Sequence, residues 1–264
     1  MHLTSKSRIF LKSRIFLKCA FSLHVLQSLK QNRNNWRVWV SKLYTCLDLE
    51  KYDEAIQACN MLLDFQRSQS AKGVPPLEEK CVRAIVGGTL ERYRACQQST
   101  SLTDDDTNAG ACRSNNAMTM EAALESARRS LSRVHDLLER MSSSLKDPWV
   151  FETMAYFQAN MGHDEKVRDN LFKEYRSLQS ARGWEKDNQQ VEKICQVVSQ
   201  IVRLSLHEGL DPIKKKEECA KSKFLLSGVI QRVQKSRQDP SSLPDALTHA
   251  EALLKEVIDQ MNSI

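Results

Sequence analysis

The fold is decided by residues 36–67, WRVWVSKLYTCLDLEKYDEAIQACNMLLDFQR. Apolar residues recur here every three or four positions, which is the spacing of one face of an α-helix. The pattern breaks near Glu50 and resumes at Tyr52, so we expect two antiparallel helices joined by a tight turn. Helices cross closely where a small residue such as Ala55 lies at the contact, and the rings of Trp39 and Tyr52 then fill the wider space beside it. These residues therefore predict a packed helical hairpin.

The residues before this hairpin repeat part of its pattern. Leu29 recurs as Leu63, and Val25 recurs as Cys59, which is a period of 34 residues. This period, an aromatic residue in the first helix and a Tyr-x-x-Ala start to the second are typical of tetratricopeptide repeats. We therefore predict that 19–31 is the second helix of a preceding repeat.

A weaker unit of the same kind lies at 149–180. Phe151 stands in the position of the tryptophan, Ala155 is the small residue, and Gly162 lies in the turn. The first unit departs from the pattern where Glu50 replaces the usual turn glycine. We predict an all-α fold in which tetratricopeptide-type helical hairpins form an α-solenoid, with C-terminal capping helices.

Residues 97–118, QQSTSLTDDDTNAGACRSNNAM, interrupt the helical pattern. They are polar, acidic in the middle and almost free of large apolar groups, so they bury too little surface to offset their ordering entropy. We predict that this insert is disordered. The predicted divisions are a basic duplicated segment at 1–18, a repeat region at 19–96, the insert at 97–118, and a degenerate repeat with C-terminal helices at 119–264. The predicted helices are 19–31, 34–48, 51–67, 76–96, 119–143, 147–160, 163–180, 184–208, 213–238 and 241–262.

Residues 1–18 are the most basic part of the sequence. KSRIFL occurs twice in tandem there, and no Asp or Glu precedes Asp48. The net charge of +6 therefore reflects the nine Lys and Arg that precede Asp48, because the rest of the chain carries −3, and not a basic body that would bind nucleic acid. Two interpretations stay open: an organellar presequence, and a short duplication at the edge of an incomplete repeat. The six-residue period matches no helical face, which favours the duplication.

The eight cysteines are scattered and contain no C-x-x-C pair, and no secretory signal precedes them. This pattern predicts reduced thiols of an intracellular protein. No apolar run approaches the length of about 20 residues that a membrane span needs. We expect a cytoplasmic protein, with a nuclear location as the alternative, and no membrane partner.

Four stretches carry a closer resemblance. They are NNWRVWVSKLYTCLDLEKYDEAIQACNMLLDFQ at 34–66, CVRAIVGGTL at 81–90, DPWVFETMAYFQANMGHDEKVRDNLFKEYRSLQS at 147–180 and GWEKDNQQVEKICQVV at 183–198. With them, the sequence resembles the C-terminal portion of the tetratricopeptide repeat protein 27 family over about residues 19–264, apart from the insert. The resemblance implies an intracellular, non-enzymatic repeat protein and assigns no catalytic residue. Because the members of that family are much longer, it also implies that this chain is a fragment of a larger solenoid.

No motif in the sequence predicts catalysis. The six histidines are isolated, without the second ligand three or four residues away that a helical metal site needs. Gly87 and Gly88 lie inside a helical stretch with no strand before them, unlike the glycines of a phosphate loop. The lysine-rich run at 214–223 contains two glutamates and no aromatic, which favours a solvated helix start over a nucleic-acid surface. We therefore predict no enzyme, no metal, no cofactor and no nucleic-acid partner.

Solenoids of this class present a concave groove lined by their first helices. Exposed Trp and Tyr side chains in it would anchor a peptide or helix of a partner protein. The alternative is that the C-terminal helices or a further repeat cover this surface. The predicted groove residues are Arg37, Ser41, Tyr44, Asp48, Trp149, Glu152, Thr153, Tyr156 and Asn160. The residues predicted to pack the repeats are Trp39, Tyr52, Ala55, Ile56, Cys59, Ala155 and Gly162.

Taken together, these features predict a non-catalytic interaction scaffold or adaptor of the tetratricopeptide repeat class, with one or more protein partners. The alternative is an RNA-associated processing or assembly factor that uses the basic N-terminal segment. Neither the identity of the partner nor the oligomeric state follows from any pattern in the sequence.

Overall fold

The computed structural model describes residues 34–68, 73–101, 113–206, 210–236 and 244–264. Within these ranges the chain forms nine α-helices, one turn of 3-10 helix and no strand, so the all-α prediction is confirmed. The helices pack in adjacent pairs, which is compatible with an α-solenoid. The helices are α1 (Trp36–Asp48), α2 (Tyr52–Arg67), α3 (Glu79–Ser101), α4 (Arg113–Ser144), α5 (Pro148–Asn160), α6 (Asp164–Gln179), α7 (Asn188–Ser205), α8 (Pro212–Ser236) and α9 (Asp245–Asn262).

The chain divides into two compact units, Met1–Met141 and Ser142–Ile264. The first holds α1, α2, α3 and most of α4, and the second holds α5 to α9. The predicted basic segment 1–18 and the predicted helix 19–31 lie outside the described residues.

Helices α1 and α2 form the hairpin that the sequence predicts at 36–67. The side chain of Asn35 caps α1 by accepting a hydrogen bond of 3.1 Å from the amide of Arg37. The amide of Lys51 donates to the carbonyl of Cys46 at 2.8 Å and so closes the turn between the helices. Between them the helices bury a continuous apolar face, to which α3 adds a second layer. The buried apolar residues of α1, α2 and α3 are Trp39, Leu43, Cys46, Ala55, Ile56, Ala58, Cys59, Leu62, Leu63, Cys81, Val82, Ile85, Val86 and Leu90.

Helix α4 is fixed to α2 by hydrogen bonds and ion pairs along its length. The carboxylate of Asp53 accepts from the hydroxyl of Ser130 at 2.9 Å and from the guanidinium of Arg133 at 3.0 Å. Two turns further along α2, the guanidinium of Arg140 donates to Asn60 and Asp64. These bonds span about 80 residues of sequence, and they place the apolar face of α4 in the core of the first unit. That face comprises Leu131, Val134, Leu137, Leu138 and Met141.

The predicted insert is narrower than 97–118. Helix α3 continues to Ser101 and α4 begins at Arg113, so both helices extend into the interval that the sequence predicts as disordered. The residues of α3 from Arg94 to Ser99 are half-buried or exposed, which explains the error: a helix end without an apolar face gives no periodic signal. Residues 102–112 lie outside the described part of the chain.

The second unit begins with the hairpin of α5 and α6. A turn of 3-10 helix, Trp184–Lys186, follows it, and the buried indole of Trp184 anchors this turn in the core. Asp187 then caps α7 by accepting hydrogen bonds from the amides of Gln189 and Gln190. Helix α7 packs against α6 on one side and against the α8–α9 pair on the other. The core of this unit is therefore continuous from the hairpin to the C-terminal helices.

The two hairpins have the same dimensions. Helices α1 and α5 each contain 13 residues, and α2 and α6 each contain 16. One shift of 112 residues relates both pairs, from Trp36 to Pro148 and from Tyr52 to Asp164. The turns correspond as well, because Glu50 and Gly162 both have positive φ, 56° and 72°. The two hairpins therefore match in helix length and in the conformation of the turn.

Exchanging the residue types at these two turn positions is expected to change stability in opposite directions. A left-handed φ suits glycine, so Glu50→Gly should raise the free energy of unfolding by about 1 kcal/mol. Gly162→Glu should lower it by a similar amount, although a Cβ at Gly162 meets no atom within 4 Å. Urea unfolding of the full chain measures both variants. Equal effects of the same sign would contradict the proposed equivalence of the turns.

Candidate functional site

Most residues predicted to pack the hairpins lie in the core. Trp39, Ile56 and Ala155 are less than 9% exposed, and Ala55 and Cys59 are fully buried. The ring of Trp39 also lies 4.9 Å from the ammonium group of Lys42, which is itself buried and donates to Gln57 at 2.9 Å. The two hairpins thus place Ala55 and Ala155 inside the structure, where small side chains allow neighbouring helices to approach.

Tyr52 has a different role from the predicted one. It is half-buried, and its ring lies against the backbone of Gly88 in α3, where a Cβ atom would overlap the ring. The guanidinium of Arg92 lies 5.4 Å from the same ring. Tyr52 therefore joins the hairpin to α3 instead of filling the space between α1 and α2. The residue that Tyr52 contacts is Gly88, and nothing in the sequence around this glycine predicts that contact.

Tyr44 is the most prominent of the predicted groove residues in the first unit. Its side chain is 39% exposed, and its hydroxyl donates to the carboxylate of Glu78 at 2.5 Å. The pKa of Glu78 is lowered, first by its hydrogen bond with Lys80 and then by Tyr44, while the pKa of Tyr44 is raised chiefly by the bond to Glu78. The phenol is therefore partly exposed and has a hydrogen-bond partner at its hydroxyl. Arg37 and Asp48 are exposed and Ser41 is half-buried.

The corresponding surface in the second unit is narrower than predicted. Tyr156 is 50% exposed, and Trp149, Glu152 and Asn160 are half-buried. Thr153, however, is 1% exposed, and its hydroxyl donates to the carbonyl of Trp149 at 2.7 Å. The prediction for Thr153 is wrong because α5 is apolar around most of its circumference.

Tyr44 and Tyr156 occupy equivalent positions in their hairpins. Each lies five residues after the buried aromatic of its first helix, Trp39 or Phe151. They are also the only tyrosines among the large hydrophobic residues that the structure shows as exposed within its described ranges. A half-exposed tyrosine combines a rigid apolar ring with a polar tip, which is typical of anchors in protein interfaces.

A cleft of about 620 Å³ opens in the second unit between α6, α7 and α8. Its apolar lining comes from Phe172, Ile201 and Leu225, and Phe224 stands at its edge with 83% of its surface exposed. This cleft was not predicted from the sequence. The only signal in the sequence was Phe224, a large apolar residue that directly follows the lysine-rich run at 214–223. Its polar neighbours gave no indication that it borders a cleft.

A buried carboxylate marks the difference between the two hairpins. Glu174 of α6 is 1% exposed and corresponds to Leu62 of α2, which is equally buried. One oxygen of Glu174 lies 3.9 Å from the ammonium nitrogen of Lys193 in α7, and this nitrogen also lies 3.1 Å from Glu152 of α5. Lys193 therefore connects three helices of the second unit through two carboxylates.

The chemistry of the thiols is that of core residues. None of the six cysteines in the described ranges forms a disulfide. Burial raises the pKa of Cys59 to about 12 and that of Cys195 to about 11. Because the thiolate is the reactive form, these two side chains stay protonated and weakly nucleophilic near neutral pH.

Two further observations concern metal binding and membrane crossing. Among the residues that the structure describes, no group of three His, Cys, Asp or Glu side chains is arranged to hold a metal ion. None of the described helices combines the length and the apolar character needed to cross a bilayer.

By its fold, the chain is an all-helical protein in which two matched hairpins are each followed by further packed helices. No protein-family model and no curated protein sequence matches it.

Proposed function

We propose that the protein is a non-catalytic interaction scaffold of the tetratricopeptide repeat class. The observation that carries the proposal is the pair of matched hairpins, each of which exposes a tyrosine at the same position of its first helix. Repetition of one backbone unit with equivalent exposed aromatics suits a protein that binds an extended partner through several similar contacts.

The geometry of the hairpins supports the repeat class. Helices of 13 and 16 residues with a short turn fit a unit of 34 residues, and the turn adopts the left-handed conformation in both copies. Ala55 and Ala155 are both buried, at positions that the shift of 112 residues does not relate. The second hairpin departs from the pattern with Glu174 in its core, so it is the more degenerate unit.

Loss of partner binding in tyrosine variants tests this function. Proteins captured from a cell extract on the immobilised full chain should fall by about tenfold with Tyr44→Ala or Tyr156→Ala, because each removes an exposed interface anchor. Tyr44→Phe should retain most of the binding, since it keeps the ring and removes only the bond to Glu78. Quantitative mass spectrometry of the captured proteins provides the measurement.

The matched control is Tyr93→Ala. Tyr93 is half-buried in α3 and its hydroxyl accepts a hydrogen bond from Gln97 of the same helix. The control variant should capture the same proteins as the wild-type chain. Equal capture by folded Tyr44→Ala and Tyr156→Ala variants would remove the tyrosine surfaces from the proposal.

A further inference from the structure

Helix α8 presents two large apolar side chains to solvent. Ile213 is 81% exposed and Phe224 is 83% exposed, which is far more than core or ordinary surface residues of this size. They are 11 residues apart, so about three helical turns place them on the same side of α8. Exposed Ala220 lies between them on that side. These three residues form an apolar stripe, which we call the α8 stripe.

The α8 stripe borders the cleft between α6, α7 and α8. Phe224 and Ala220 both contribute to the cleft wall, and the apolar floor is formed by Phe172, Ile201 and Leu225. A concave apolar surface next to an exposed aromatic can accept the side chains of a bound polypeptide. The surface therefore combines an exposed ridge at Phe224 with an apolar recess beside it.

The charged residues differ between the two sides of the α8 stripe. On the cleft side, Lys221 lies 2.9 Å from both Glu217 and Glu218, and Glu218 also lies 3.9 Å from Arg168. Asp169 also lines the cleft, so the charged side chains around it are three carboxylates and two cations. On the opposite side of the stripe, Lys216 and Lys223 are exposed, and no ion pair involves either of them within the described ranges.

Lys216 and Lys223 lie alongside the α8 stripe, between the positions of Ile213 and Phe224. They are seven residues apart, or about two helical turns, and they lie on one side of the line from Ile213 to Phe224. A partner that covers the stripe would meet both ammonium groups at its margin. Complementarity of charge then requires carboxylates on that partner.

We propose that the α8 stripe and the adjoining cleft bind an acidic amphipathic helix of a partner protein. Its apolar residues would contact Ile213 and Phe224 and enter the cleft, and its carboxylates would pair with Lys216 and Lys223. This inference rests on the proposed scaffold function and specifies the chemistry of one partner.

Two other occupants fit the surface less well. A bilayer surface is flat on this scale and leaves the recess at Phe172 and Leu225 empty. A second copy of this chain that docked through its own α8 stripe would bring the same lysines to the contact, and like charges would then face each other. A polypeptide with carboxylates satisfies both the shape and the charge.

Selection from a displayed library of random peptides of about 16 residues tests the inference, since that length forms about four helical turns. With the full chain as bait, we expect enriched peptides to carry apolar residues at helical spacing together with Asp or Glu. Synthetic copies of these peptides should bind at least tenfold more weakly to Phe224→Ala and to Lys216→Glu/Lys223→Glu. Because all three side chains are exposed, neither variant should disturb folding.

The matched control is Lys235→Glu/Lys255→Glu, which changes the net charge by the same amount at two exposed lysines outside the cleft. It should leave the binding of the peptides within about twofold of wild type, because screening weakens distant surface charges.

Four results would overturn the inference. Peptides that bind Phe224→Ala normally but are lost with Tyr44→Ala or Tyr156→Ala would leave the scaffold function in place and move the binding site. The absence of any enriched peptide would remove this inference and leave the scaffold function to the capture experiment with the tyrosine variants. Sedimentation with phosphatidylserine vesicles that depends on Phe224 would assign the surface to a membrane. Dimerisation that Phe224→Ala abolishes, measured by light scattering, would assign it to a second copy.

Discussion

Gly88→Ala is expected to destabilise the first unit by about 2 kcal/mol. A Cβ atom at this position would overlap the ring of Tyr52, so the ring has to leave its place against α3. The displaced ring would lose both its packing on the helix backbone and its contact with the guanidinium of Arg92. Hydrogen exchange of the amides in α1, α2 and α3, followed in the full chain, measures the loss of stability of the first unit.

The adjacent glycine provides the control. A Cβ at Gly87 meets no atom within 4 Å, so Gly87→Ala should stabilise α3 by about 0.5–1 kcal/mol through the smaller entropy of the unfolded chain. In the background of Tyr52→Ala, Gly88→Ala should become stabilising as well, since the overlapping ring is absent. Similar effects of the two glycine substitutions in the wild-type background would show that the approach of Tyr52 to Gly88 is unimportant.

The contact between Tyr52 and Gly88 also shows how far sequence patterns reach. Apolar periodicity predicts the faces of α1 and α2, because each face is a property of consecutive residues. Which neighbour a half-buried ring touches depends on how α3 is placed, and the two residues are 36 positions apart. The pattern therefore predicted that Tyr52 packs but assigned it to the wrong helix.

The ends of helices are also difficult to predict from apolar periodicity. The end of α3 and the start of α4 carry few apolar residues, so the sequence predicted an insert at 97–118 that is wider than the gap between the two helices. Helix α4 is held by its buried apolar face and also by polar pairs at Asp53 and Arg140. The apolar face gives a periodic signal, whereas single polar pairs far apart in sequence give none.

The candidate surfaces were predicted in part. The shift between the hairpins relates Tyr44 to Tyr156, and both are exposed as expected. The prediction that Thr153 lines the groove is wrong because α5 buries residues on nearly all sides. Counting from one packing position therefore does not identify an exposed face of this helix. Phe224 was overlooked because an apolar residue in a charged run gives no information until the neighbouring helices define a cleft.

Lys193→Met is expected to destabilise the second unit by about 2 kcal/mol. The substitution removes the ammonium group beside Glu174 and leaves a carboxylate that is 1% exposed. Removal of a cation beside a buried carboxylate is costly, although the half-exposed position of Lys193 makes the loss smaller than for a fully buried pair. Urea unfolding combined with hydrogen exchange of the amides in α6 and α7 measures it.

Two further variants separate the buried carboxylate from the exposed one. Glu152→Gln removes the nearer partner of Lys193 but should cost less than about 1 kcal/mol, because that pair is accessible to water. Glu174→Leu introduces the residue that stands at Leu62 in the first hairpin and should restore the stability of Lys193→Met, since a charge no longer remains in the core. If Lys193→Met costs no more than Glu152→Gln, or if Glu174→Leu fails to rescue it, Glu174 is held by other contacts. With rescue, the buried carboxylate is the feature that makes the second hairpin depend on α7, whereas the first hairpin packs an apolar side chain at the same position.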